Sequence, residues 1–184
     1  MSAPHYETRR IFRSHITSQD VVRELLQIMF FAELLNPSSE VWLVSPWVSD
    51  FVLLDNRSGR FNAINPHWQR REIRLVDYAQ QIMTNGTRVI VVTRPDTHNQ
   101  TFLNRLEDRT RESGLDGRLE LLSRDGLHTK GILTNSSLLL GSMNLTYSGL
   151  ELNEESVYYE TSAEAIAKAR IEFQIYRSDL ANEH

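Results

Sequence analysis

An α/β domain, with a mixed β-sheet flanked by helices on both faces, is the fold that this 184-residue chain predicts. Three observations carry the expectation. Apolar residues recur at the three-and-four spacing of helices in separated segments, short continuous apolar runs of strand length lie between them, and the last third of the chain changes to strand-like runs with little helix. A chain of this length suits one domain, residues 1–184, able to bury a continuous core.

From Ser18 to Leu35 the residues Val21, Val22, Leu25, Ile28, Met29, Ala32 and Leu35 trace a helix, with Ser18 as N-cap and Pro37 beyond its end. Leu26, Phe30, Phe31 and Leu34 widen the apolar stripe past what a half-exposed helix needs, which points to deep burial or a subunit interface. Glu40 to Ser45 and Thr87 to Thr93 read as interior strands, stopped by Pro46 and Pro95. A helix from Ile73 to Met83 precedes the second and stops at Asn85-Gly86. A third helix covers His98 to Ser113 and leads through Gly114 and Gly117 into a strand from Arg118 to Ser123. Thr129 to Thr134, Ser137 to Ser142 and Ser156 to Thr161 are strand-like, the first two joined as a hairpin at Asn135-Ser136, and a helix from Ala163 to Arg177 follows. Residues 55–71 have no period and carry Arg57, Arg60, Arg70 and Arg71, so they form a long loop.

Composition removes several classes of function. The formal net charge is −4, which excludes a globally basic nucleic-acid binder but not a local basic patch. With no cysteine, disulfides, thiolate metal sites and cysteine nucleophiles are excluded, as suits a reducing cytoplasm. Neither a signal-peptide core in Met1 to Arg13 nor an apolar run of membrane-spanning length is present, so a cytoplasmic protein with no membrane partner is expected. His5, His15, His67, His98 and His184 have no metal-ligand spacing and are expected at the surface, with no metal and no cofactor. Trp42 and Trp47 are expected in the core or an interface.

The stretch from His128 to Glu155 carries the chemistry. His128 and Lys130, two apart at the start of one hairpin strand, point to one face, and Ser142 and Asn144 come at the end of the returning strand. Antiparallel pairing therefore gathers an imidazole, a cation and two polar side chains at one edge of the sheet. An imidazole can attack phosphorus or pass a proton near neutral pH, while Lys and Asn hold the oxygens on which charge grows.

These residues resemble the phospholipase D superfamily, whose signature H-x-K-x4-D followed by G-S-x-N is matched by His128-Thr129-Lys130 and Gly141-Ser142-Met143-Asn144. Val41 to Ser45 followed by Pro46 is similar to that family's first core strand. The resemblance implies a phospholipase D-like sheet and catalytic residues His128, Lys130, Ser142, Asn144 and Glu155. Glu155 stands where the family often has an acid bonded to the nucleophilic histidine, with Glu154 the neighbouring alternative. The motif Asp falls at Asn135, which carries no charge, and the stretch from there to Gly141 is one residue short.

The family uses two such motifs per site, and this chain has one His-x-Lys. A homodimer with the site on its two-fold axis is the implied assembly. The superfamily spans lipases, phosphatidyltransferases and nucleases, and a short cysteine-free chain is most similar to its bacterial nuclease branch. That branch includes proteins of DNA-modification and phage-defence systems, such as the deazaguanine DNA-modification clusters. The expected activity is metal-independent DNA endonuclease cleavage through a phosphohistidine, with DNA and proteins of such a system as partners. Arg57, Arg60, Arg70 and Arg71 are candidates for substrate binding. Two alternatives stay open: a catalytically weak DNA-binding or assembly subunit, and a phospholipid or small-phosphodiester hydrolase.

Overall fold

The computed structural model describes residues 8–13 and 20–178. The Ser18 cap, and His5, His15 and His184, lie outside them. In chain order the elements are β1 (Thr8–Arg13), α1 (Asp20–Leu35), β2 (Glu40–Val44), β3 (Val52–Asp55), β4 (Glu72–Arg74), α2 (Leu75–Thr84) and β5 (Arg88–Thr93). There follow α3 (Thr97–Glu112), β6 (Leu119–Ser123), β7 (Gly131–Leu133), β8 (Leu138–Gly141), α4 (Tyr147–Glu151), β9 (Glu155–Glu160) and α5 (Ala163–Ser178).

Seven strands form one mixed sheet in the order β1-β9-β8-β7-β2-β5-β6. β2, β5 and β6 are parallel, each joined to the next through a helix, whereas β7, β8, β9 and β1 add antiparallel. Burial on both faces explains why the interior strands read as unbroken apolar runs. On one face Val41, Leu43, Val89, Val91, Ile132 and Leu139 share a core with α1, α2 and α3. On the other, Trp42, Val44, Ile90, Val92 and Leu133 pack with Ile166, Ala169 and Phe173 of α5. This helix lies across the strands: Arg170 bonds the Thr134 carbonyl after β7, Phe173 packs on Trp42, and Arg177 reaches Glu120 on β6.

The wide stripe of α1 is taken up by burial, since Leu26, Met29 and Phe30 are enclosed, while Ile28 and Leu35 remain exposed. α2 ends as its sequence indicates. Gly86 takes φ +106°, a left-handed conformation that lets its amide bond Met83 O while Thr87 N bonds Ile82 O. Ile73, expected as the first helical residue, instead belongs to β4, which with β3 frames the long loop as a separate two-stranded hairpin.

Candidate active site

The parallel strands β2, β5 and β6 end where β7 begins, β8 ends and β9 begins, because Val44 pairs with Gly131 and Gly141 with Val157. His128 and Lys130 lie in the segment entering β7, which starts later than expected, at Gly131. His128 is exposed and Lys130 half-buried. Gly141 N donates to Lys130 O at 3.2 Å, so one backbone hydrogen bond joins the two halves of the motif. Lys130 Nζ rests on the carbonyl of His128 at 2.7 Å, a bond that an incoming phosphate oxygen can replace.

Ser142 follows β8 and Glu155 opens β9. The Ser142 hydroxyl donates to the Glu155 carboxylate and accepts from Ser156 N at 3.0 Å, while Ser142 N donates to Ser156 O at 3.0 Å. Glu155 is buried and also accepts from Asn153 Nδ2 at 3.3 Å, whereas Glu154 is exposed. The buried position therefore distinguishes the two carboxylates. Within one chain Glu155 is engaged by Ser142 and Asn153, so the expected bond to the His128 imidazole is not made there.

Asn144 is placed by Ser45, a residue that sequence reasoning passed over. At the end of β2, Ser45 Oγ donates to Trp47 O at 2.6 Å, accepts from Leu145 N at 3.1 Å and lies 3.4 Å from Asn144 Oδ1. Arg94 was missed as well. It follows β5, donates to Leu127 O at 2.7 Å just before His128, and stands close enough to Lys130 to act on its titration. Burial pushes the Lys130 pKa below the usual lysine value and the Arg94 charge pushes the same way, against an upward pull from Glu155. The only sequence clue to Arg94 was its place one residue past a strand whose end lies beside the motif. The net charge of −4 thus conceals a local cationic pair.

The residues are spread over open strand ends rather than enclosed. His128 and Thr129 line a cleft of about 470 Å³ with Arg124, Leu127 and Tyr176, and Asn144 lines another of about 380 Å³ with Trp47 and Tyr147. Such a surface presents the His128 imidazole of the motif in the first cleft, and His98 beside Asn144 in the second. Among the described residues no three His, Asp or Glu side chains cluster as metal ligands, and no helix is long and apolar enough to cross a membrane.

Asn135, at the position of the family's Asp, sits beyond β7 at the opposite end of that strand from His128. Its side-chain oxygen accepts from Arg170 at 3.2 Å and Ser39 at 3.3 Å, and its backbone N–H donates to Ser38 Oγ at 2.8 Å. The position fastens the β7–β8 turn to α5 and to the start of β2. Asn135→Asp is accordingly expected to leave phosphodiester turnover within about twofold and to raise the melting temperature slightly, because a carboxylate would pair with Arg170. Parallel turnover and thermal-melting measurements check this; a large gain in turnover would give the position a chemical role.

The four loop arginines are not brought to the strand-end cluster. β3 leads away from the site along α1, where Gln27 bonds Leu53 O, and the loop packs on the later turns of the helices through Phe61 on Phe31 and Asn65 on Gln81. Arg57 pairs with Asp55 at 2.6 Å, holding that carboxyl down at about 2 through a direct hydrogen bond. Arg71 grips Asp77 through two bonds of 2.8 and 2.9 Å, and Asp77 also accepts from Arg74 N at the start of α2. Burial pushes the Asp77 pKa up, but the Arg71 bond and the Arg74 amide outweigh it and leave it lowered. Arg60 and Arg70 are exposed on the loop. Arg71→Ala should therefore cost about 1–3 kcal/mol of stability by leaving the buried Asp77 carboxylate without its ion-pair partner. Denaturant melts would register this, with nucleic-acid affinity unchanged; a fall in affinity at constant stability would restore Arg71 to the ligand-binding surface.

The molecule is thus an α/β domain with a seven-stranded mixed sheet whose neighbouring strand ends carry His128, Lys130, Ser142 and Asn144. A family model described as the PLD-like domain of cardiolipin synthase matches residues 53–176. The chain belongs to the phospholipase D superfamily, a family of proteins acting on phosphodiesters. No curated protein sequence matches it. Among solved structures it is similar to NucT from Helicobacter pylori, with 12% identity, TM-score 0.54, and 94% of this chain and 97% of that one covered. It is also similar to Nuc from Salmonella typhimurium, a phospholipase D family member, with 10% identity, TM-score 0.52, and 93% and 91% covered. A third likeness is to TrmBL2, an archaeal chromatin protein described with a novel mode of DNA binding, at 13% identity and TM-score 0.54. The match covers 97% of this chain but only 54% of TrmBL2. At these identities the likenesses establish the fold.

Proposed function

We propose that two copies of this chain build one active site and hydrolyse phosphodiester bonds of DNA without a metal ion. The observation that supports the reading is the placement of a single His128-x-Lys130 at a strand end beside those that carry Ser142 and Asn144, on one open surface. The reaction needs two imidazoles on opposite sides of phosphorus. His128 of one copy, unprotonated, forms an N–P bond as the bond from phosphorus to the leaving oxygen breaks. The protonated His128 of the other copy gives its proton to that oxygen. Water then attacks the phosphohistidine, the second imidazole takes a proton from the water, and the N–P bond breaks to release a phosphomonoester. Lys130 and Asn144 of both copies hold the non-bridging oxygens as charge builds, and Glu155 keeps Ser142 and the start of β9 in place around them.

DNA is favoured over lipid by the polar character of the cleft at His128, and the DNA-binding chromatin protein with a like fold supports it. The reading extends to cytoplasmic service in a DNA-modification or phage-defence system, with partner proteins supplying sequence choice. The test is incubation of the purified protein with plasmid DNA in EDTA, beside a His128→Ala control. Cleavage should persist in the chelator and vanish with the substitution. Loss on chelation overturns the metal-free scheme; binding without cleavage replaces it with an assembly subunit, and activity confined to phospholipid vesicles with a lipid hydrolase.

A further inference from the structure

We infer that the cleft beside Asn144 is a stacking subsite for an unpaired nucleobase next to the cleaved phosphate, so that the preferred substrate is single-stranded or locally opened. The inference rests on the phosphodiester reading above and adds the part of the substrate that the motif does not touch. Trp47 and Tyr147 both line this cleft, together with Ser49, His98, Asn144 and Asn153. Trp47 is 36% exposed and Tyr147 57% exposed, while Trp42 and Trp68 are buried. A tryptophan leaving an apolar strand has a core to join; this one instead stands at the surface beside the motif.

Its position is built. Trp47 Nε1 donates to Asp96 Oδ2 at 3.2 Å, and the Arg94 guanidinium lies 5.3 Å from the ring centroid. The two walls of the cleft are fastened together: Val48 bridges Leu145, Ser49 N donates to Leu145 O at 2.9 Å, and Tyr147 N donates to Ser49 Oγ at 3.2 Å. Val48 N is further pinned to Asn99 Oδ1 at 2.8 Å. Aromatic rings held in advance on rigid segments lose little freedom on stacking, and every base offers them a π-face. Asn, Ser and His side chains around the rings match the polar edge of a base and would suit an acyl chain poorly. A duplex keeps its bases stacked inside, so only an unpaired nucleotide can present one here.

The experiment uses full-length His128→Ala protein, which should bind without cleaving, and two probes of about eight nucleotides: oligothymidylate and an abasic deoxyribose-phosphate oligomer. Thymidylate should quench tryptophan fluorescence, and adding Trp47→Phe should remove the quench because the remaining two indoles are buried. Adding Trp47→Ala with Tyr147→Ala should weaken thymidylate binding about tenfold or more and leave abasic binding unchanged. Equal affinity for both probes, no binding of thymidylate, or a quench that survives Trp47→Phe overturns the subsite. Wild-type hydrolysis of bis(p-nitrophenyl) phosphate separates the two readings. Hydrolysis without base-dependent binding sinks the subsite alone, while base-dependent quenching without hydrolysis upholds the subsite and sinks the enzyme.

Discussion

Wild-type protein mixed in equal amounts with His128→Ala protein, and left to exchange subunits, is expected to keep about a quarter of the activity of the same total of wild type. Random pairing makes only about one dimer in four with both imidazoles, and a pair with one lacks either the nucleophile or the acid. Alone, the variant should fall about a thousandfold or more. The fold should be unaffected, since His128 is exposed and its imidazole makes no hydrogen bond among the described residues. Self-sufficient chains would instead retain about half the activity in the mixture, and that result would reject the shared site. Sedimentation of each sample confirms that pairs are present when activity is read.

Gly141→Ala should be the most damaging small substitution in the motif. A Cβ at this position would stand 2.2 Å from Ser156 O and 2.9 Å from Val157 Cα, both backbone atoms of the neighbouring strand. No side-chain adjustment relieves such a clash, so β8 and β9 must part or bulge, at a cost of about 1–3 kcal/mol or more. For a chain of this size that is a fall of roughly 2–12 °C in melting temperature. Turnover should drop further than stability requires, because Ser142 and Ser156 exchange two hydrogen bonds at the next step along the strands. Gly117→Ala, with nothing within 4 Å of the new atom, serves as the neutral comparison. A Gly141→Ala protein with unchanged melting and activity would show that the close approach of the strands is dispensable. The close approach of the strands is by itself a reason for glycine as the first residue of G-S-x-N.

What could be read from the sequence was whatever periodicity and turn chemistry control locally. α1, α2, α3 and α5 lie within a few residues of their expected places, and the Asn135-Ser136 turn joins β7 to β8. The hairpin also brings the segment holding His128 and Lys130, just before β7, beside the segment holding Ser142 and Asn144, just after β8. None of the four lies within a strand, as alternation had supposed they would. Missed elements are those that distant parts of the chain decide. β1 buries Ile11 and exposes Thr8, Arg9, Arg10 and Phe12, and is a strand because it pairs with β9. β3 and β4 are short and exist as a hairpin around a loop, and α4, with a glycine inside it, is capped by Thr146, whose side chain accepts from Gly149 N at 3.1 Å. Arg94, Ser45 and the solvent-facing Trp47 reach the site from the parallel half of the sheet, so no spacing within 128–155 could point to them. The loop arginines illustrate the converse: of the four, Arg57 and Arg71 are drawn off by nearby Asp55 and Asp77.

The two outermost strands carry a constraint on assembly. β1 borders the sheet on one side and displays Arg9 and Arg10 to solvent, while at the opposite border Glu120 of β6 is locked to Arg177. Charge of this kind discourages lateral recruitment of a foreign strand, the route by which open sheets polymerise. Fibre-like growth by edge-to-edge joining of these sheets is thereby disfavoured.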